Sequence, residues 1–231
     1  MSGNTAGVHN YIRANEEHYD RIASQYNDVP IAIDRSERTV KSLLELYVFD
    51  KANITLLDVA SGTGLISKML FPYVRSILGV DISQNMVDEY NKLGDTEGFP
   101  KEAFHAIRAD LTADDNELAR SGKKFDVVIC CSAIYHFPSL EEITRILASF
   151  LKLGGALFVV AGKPVEPEVV ASIFPHNVNH ILAHSGGLSE ERMKCLFEGA
   201  GLIGFIYKDL PAAQKVCDLE FFVAEGVKPS E

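Results

Sequence analysis

From residue 54 onward the chain alternates short apolar runs with amphipathic stretches, and that alternation limits its fold more than any other feature. The runs are Ile54–Val59 (ITLLDV), Ser76–Ile82 (SILGVDI), Phe104–Asp110 (FHAIRAD), Phe125–Cys131 (FDVVICC) and Gly155–Gly162 (GALFVVAG). Runs of this kind are strands buried on both faces, and the helices between them must cover those faces. The pattern predicts a doubly wound α/β fold around a mostly parallel sheet. Two further runs, Leu202–Leu210 and Asp218–Val227, read as strands joined through Pro211, close enough to pair antiparallel at the sheet edge. That makes a seven-stranded sheet.

Before the alternation begins, residues 10–28 and 36–49 carry apolar side chains at helical spacing. Ser139 with Glu142 forms a capping-box signal ahead of Ile143, Ile146, Leu147 and Phe150, and Ser189 opens another helix with Glu190 and Glu191 in its first turn. Residues 163–187 do not fit the alternation, being longer than a regular crossover needs. They are expected to form a lid over the carboxyl end of the sheet, the edge at which α/β sheets bind ligands.

A chain of 231 residues with 47% hydrophobic and 23% charged residues suits one globular domain. A formal charge of −10 leaves no basic field for a phosphate backbone, which argues against a nucleic-acid partner. Cys130 and Cys131 are neighbours inside an apolar run and show no metal-type spacing, as expected of a reduced protein. The first twenty residues hold no apolar signal core, and no segment reaches the ~20 apolar residues of a membrane span, so a cytoplasmic protein is expected.

The first strand runs into a small-residue turn, LLDVASGTGLIS, built on Gly62 and Gly64. Two ligand classes use a strand, a glycine turn and a helix with an acid about 20 residues on: dinucleotides and nucleosides. Asp81 is placed for ribose hydroxyls in either case. Ser67 occupies the position where a dinucleotide turn wants Gly or Ala. Asp58, just before the turn, would repel a pyrophosphate but attract an ammonium group. Asp110 closes the third strand, where it can accept from an adenine amino group. Together these favour an adenosine that carries a positively charged amino acid.

The ordered set LLDVASGTG, GVDIS, RADL and FDVVICCSAIYHF resembles the class I S-adenosylmethionine-dependent methyltransferases, especially small-molecule enzymes of the ubiquinone-biosynthesis group. The resemblance implies a strand order 3-2-1-4-5-7-6 and S-adenosyl-L-methionine as cofactor. It places Asp58, Gly62 and Gly64 around the methionine part, with Ala60 where the family often has its first glycine. Asp81 would take the ribose hydroxyls, with Ile82 beside the adenine and Met86 also among the cofactor-binding residues. Asp110 would bind the adenine amino group, Leu111 a ring nitrogen through its backbone, and the strand end near Cys131 and Ser132 the methionine ammonium. Tyr19 and Tyr26 would roof the site, although their seven-residue spacing also fits a core stripe. One domain over 1–231 is expected, with a helical cover (1–50), a cofactor-binding core (51–162), the lid (163–187) and a C-terminal helix and strand pair (188–231).

Methyl transfer to an O, N or S nucleophile on a small molecule is the activity implied. A hydroxyl acceptor needs a base, and His136, His180 or His184 could supply one near neutral pH. His176, His180 and His184 are not a metal set, because on one straight helix the outer two stand ~12 Å apart along the axis, too far to share one ion. The alternatives are a non-catalytic cofactor-binding or partner-activating subunit and a dinucleotide oxidoreductase, since fold alone does not exclude them. Oligomeric state stays open.

Overall fold

The computed structural model describes residues 5–114, 116–166, 168–169, 181–213 and 219–231. Helices α1 (Thr5–Tyr26) and α2 (Pro30–Leu46) precede the sheet. The sheet strands are β1 (Thr55–Val59), β2 (Ser76–Asp81), β3 (Phe104–Arg108), β4 (Phe125–Cys131), β5 (Leu151–Gly162), β6 (Ile203–Asp209) and β7 (Phe221–Val227). Between them lie α3 (Leu65–Leu70), α4 (Gln84–Glu97), α5 (Glu117–Arg120), α6 (Leu140–Ser149) and α7 (Glu190–Gly199).

The seven strands lie in the expected order, β3-β2-β1-β4-β5-β7-β6. All neighbours from β3 to β5 pair parallel, while β7 runs antiparallel to both β5 and β6. Leu56, Leu57, Val127, Val128, Leu157 and Phe158 are fully buried at the sheet centre. A sheet covered on both faces cannot afford polar side chains there. Two apolar clusters result, one per face, the first under α6 and α7 and the second under α2, α3 and α4.

Caps set the helix limits as the sequence suggested. Ser139 Oγ accepts from the Glu142 amide and Ser189 Oγ from the Arg192 amide, each at 3.2 Å, meeting donors that a helix start leaves unpaired. The sequence pattern missed several boundaries, among them the start of α1, which is Thr5 rather than residue 10. Helix α2 begins at Pro30 rather than Ser36, since proline is pre-organised for the first helical turn. Strand β5 begins at Leu151 rather than Gly155, and its pairing with β4 slips between Phe125 and Val127, where Gly154 takes a φ of +75°.

About half of the expected lid, residues 167 and 170–180, falls outside those described. Its two stems are described and lie together: Val165 N donates to the Gly186 carbonyl at 3.3 Å, and Leu188 N to the Gly162 carbonyl at 2.9 Å. Among the described residues no helix is long and apolar enough to cross a membrane.

Gly79 in β2 is a close-approach position. A Cβ there would lie 2.8 Å from both the Tyr90 ring and Ser61 Oγ. Tyr90 is fully buried and Ser61 belongs to the glycine turn, so neither has room to retreat. Gly79→Val is expected to destabilise the fold by ~1–3 kcal/mol through overpacking, read as a lowered midpoint in thermal denaturation.

Candidate functional site

At the carboxyl edge of the sheet a cavity encloses about 900 Å³, counting the part open to solvent. It has a companion lobe, and the two share Tyr26, Ala60, Gly62, Cys131 and Ser132 as a common wall. The larger lobe reaches the ends of β2 and β3 at Asp81 and Asp110. The smaller lies between the end of β1 at Asp58 and helix α2 at Arg35 and Thr39.

The shared wall is built from backbone that side chains seldom adopt. Ala60 has φ +53° and Ser132 φ +57°, both in the left-handed region, and Gly62 and Gly64 follow at +54° and +85°. Non-glycine residues there cost of order 1–3 kcal/mol and persist only when their surroundings fix them. Gly64 is required on a second count, because a Cβ would meet the Tyr90 ring at 2.7 Å.

Asp81 locks this turn. Its Oδ2 accepts from Gly62 N at 2.9 Å and its Oδ1 from Ser83 N at 3.0 Å, and the carboxylate lines the larger lobe. Burial raises its pKa, opposed by the amides of Ser83, Gly62 and Ile82. Asp58 is 3% exposed, and its Oδ2 accepts from Ser67 Oγ at 2.7 Å. Burial pushes its carboxyl up to about 7. Asp110 spends Oδ1 on the amide and hydroxyl of Thr112, which leaves Oδ2 for a donor in the cavity. Ile82, Met86 and Leu111 line the same lobe with apolar surface. Burial drives the Cys131 thiol well up, so it stays protonated and acts as a small wall residue.

Helix α1 forms the roof. Ile12, Asn15, Tyr19 and Tyr26 face the cavity from one side of it. Polar clasps hold it down: Glu16 to Arg108, Asp20 Oδ1 to the Ser83 hydroxyl and the Asn85 amide, and Asn27 to Thr63 on the glycine turn.

Of the three histidines named from sequence, His136 lines the cavity. Its Nδ1 lies 2.8 Å from the Ile181 carbonyl, which can only accept, so the proton sits on Nδ1. Nε2 is therefore the acceptor for Tyr19 Oη at 3.0 Å. Burial lowers the pKa of His136 to about 4, against the Ile181 bond. The ring is neutral, but it titrates well below the near-neutral range expected of a base, and its basic nitrogen is occupied by Tyr19. His184 does not line either lobe; its amide is tied to the Tyr135 carbonyl at 3.1 Å. That places it outside the cavity for which it was named. His180 lies outside the described residues. Among the described residues no three His, Cys, Asp or Glu side chains group to hold a metal ion.

Sequence reasoning missed Asn15 and the α2 residues Arg35 and Thr39. Ile12, Asn15 and Tyr19 recur at helical spacing, so a polar residue within a core-facing stripe was the available signal.

The family model described as a methyltransferase domain matches residues 57–159. An uncharacterized methyltransferase of Schizosaccharomyces pombe is 32% identical, over 83% of this chain and 79% of the relative. The chain belongs to the S-adenosylmethionine-dependent methyltransferase family. A ubiquinone biosynthesis O-methyltransferase of Coxiella burnetii is 26% identical over 45% of this methyltransferase and 41% of that enzyme. Among solved structures, an S-adenosylmethionine-dependent methyltransferase from Clostridium acetobutylicum shares the fold with a TM-score of 0.62 at 16% identity, covering 92% of this chain and 99% of that one.

Methyltransferases of this fold generally bind S-adenosylmethionine. The residues present fit that group. Thr39 Oγ1 and Ser61 Oγ in the smaller lobe are buried and have no hydrogen-bond partner among the described residues, beside the Arg35 cation and the Asp58 carboxyl. Oxygens of this kind suit a ligand that carries both charges of an amino acid.

The raised pKa of Asp58 makes stability fall with pH. Between the unfolded value near ~4 and the folded value of about 7, the fold holds a proton that the unfolded chain has lost. Stability should therefore drop by up to about 1.4 kcal/mol per pH unit across that window, with Asp81 adding in the same direction. Asp58→Asn is expected to flatten the slope in urea denaturation series run from pH 4 to 7.

Proposed function

We propose that this methyltransferase binds S-adenosyl-L-methionine across the two lobes and transfers its methyl group to an O, N or S nucleophile on a small molecule. The observation that carries the reading is the split of polar groups between the lobes. Asp81 and Asp110 face one, while Asp58, Arg35 and Thr39 face the other. The first pair matches an adenosine and the second set an amino acid, with the turn at Ala60 and Gly62 between them.

In this reading Asp81 would hold the ribose hydroxyls and Asp110 the adenine amino group, with Ile82, Met86 and Leu111 against the ring. Arg35 would pair with the carboxylate, helped by Thr39 and Ser61, and Asp58 with the ammonium on the side near Cys131. The cofactor supplies a methyl group already activated on a sulfonium. What remains for the protein is to align the acceptor and keep water out. Tyr19 and Tyr26 do the second, as parts of the clasped roof. His136 holds that roof to the segment at Ile181 and, released by Tyr19, is the base for a hydroxyl acceptor. The formal charge of −10 favours a small acceptor over a nucleic acid. A cytoplasmic enzyme fits the reduced cysteines.

Calorimetric titration with S-adenosylhomocysteine tests the reading. The parent protein is expected to bind it, and Asp81→Ala to weaken binding by ~1–3 kcal/mol as ribose hydroxyls go unpaired. Arg35→Ala should lose a similar amount through the carboxylate. Affinity should rise with pH as Asp58 ionises around 7, because a carboxylate attracts the ammonium and a carboxylic acid does not. Undiminished affinity in Asp81→Ala would sink the assignment.

A further inference from the structure

Asn15 is 5% exposed and sits on the cavity face of α1. Both hydrogens of its amide are committed: Nδ2 donates to the Tyr11 carbonyl at 2.9 Å and to the Ile181 carbonyl at 3.0 Å. Turning the amide over would set its oxygen against those two carbonyls, so the partners fix its orientation. Oδ1 is thereby buried with no hydrogen-bond partner among the described residues. The same cavity carries the apolar side chains of Ile12, Ala133, Phe137 and Pro138, none of them assigned to the cofactor. A buried amide oxygen left unpaired is destabilising, and leucine would fill the same volume without that cost.

The place of Asn15 separates it from the groups assigned to the cofactor. Asp81 and Asp110 stand at the ends of β2 and β3. Asn15 is bound instead to Ile181, the carbonyl that also receives His136 after β4. We infer that Asn15 is a specificity-determining residue whose Oδ1 receives an O–H or N–H of the methyl acceptor. The acceptor is then a largely apolar small molecule that carries a hydrogen-bond donor. An amide oxygen is too weak a base to remove that proton; it orients the donor and rejects analogues that lack one. The inference rests on the proposed function and deepens it by naming the substrate class.

The test uses protein loaded with S-adenosylhomocysteine, with loading measured first by calorimetry. Matched probes are then titrated by ligand-observed NMR: phenol against fluorobenzene, aniline against toluene, cyclohexanol against methylcyclohexane. The donor-bearing member of each pair is expected to bind about tenfold more tightly in the parent protein. In Asn15→Leu the two members should bind alike, while S-adenosylhomocysteine affinity stays within about threefold. Equal binding within the pairs in the parent, no binding by any donor-bearing probe, or a preference that survives in Asn15→Leu overturns the inference. So does a loss of about tenfold or more in S-adenosylhomocysteine affinity in a folded Asn15→Leu, which would give Oδ1 to the cofactor. The parent comparison needs no variant, so a misfolded Asn15→Leu does not shield the inference. Failure of the parent to bind S-adenosylhomocysteine would overturn the proposed function itself, and it is seen before any probe is added.

Discussion

The carboxylate of Asp81 is the contact on which the rest of the site depends. Through Gly62 N it holds the turn after β1, and through Ser83 N it fixes the start of α4. Ser83 in turn caps α4 by accepting from Met86 N at 3.1 Å and gives its hydroxyl hydrogen to Asp20 on the roof helix. One side chain thus joins two strand ends, a helix N-terminus and the cover. Burying a carboxylate is costly, and three amides offset the cost here. The left-handed residues at Ala60 and Ser132 persist in a wall braced in this way, since Ser132 N also donates to the Val160 carbonyl at 2.7 Å.

Much of this arrangement was legible in the sequence. Strands buried on both faces leave an apolar signature that does not need tertiary context, so β1 to β4 fell where the runs lay. The acids at 58, 81 and 110 stood out because each ends such a run. Strand order came from the family resemblance rather than from periodicity. Two of the misplaced boundaries lie at residues that usually interrupt an element: Pro30 opens α2 and Gly154 sits inside β5. The first error had a functional cost. With α2 begun at Ser36, Arg35 fell in a loop, and its one-turn relation to Thr39 on the wall of the smaller lobe was hidden.

Histidine roles were the least legible, for a physical reason. Spacing along the chain says which residues share an element face, but not which lone pair is already spent. His136 proved to be at the cavity with both nitrogens engaged, whereas His184 is tied back to Tyr135 by its backbone. Asn15 shows the converse. Its four-residue offset from Tyr19 marks the face, and only the carbonyls of Tyr11 and Ile181 reveal that its oxygen is turned loose.

The roof is fastened by polar clasps, of which Glu16 to Arg108 and Asp20 to Asn85 are exposed while Asp20 to Ser83, Asn27 to Thr63 and Tyr19 to His136 are part-buried. Exposed contacts contribute little each, so parting the roof means breaking mainly the part-buried ones. A ligand lodged beneath α1 enters through the fraction of molecules in which the clasps are parted, and its apparent affinity is reduced by that fraction. Arrival is then gated: at high ligand concentration the observed rate of association levels off at the rate of helix lifting. Salt, by screening Glu16 from Arg108, raises that ceiling without touching any group inside the cavity.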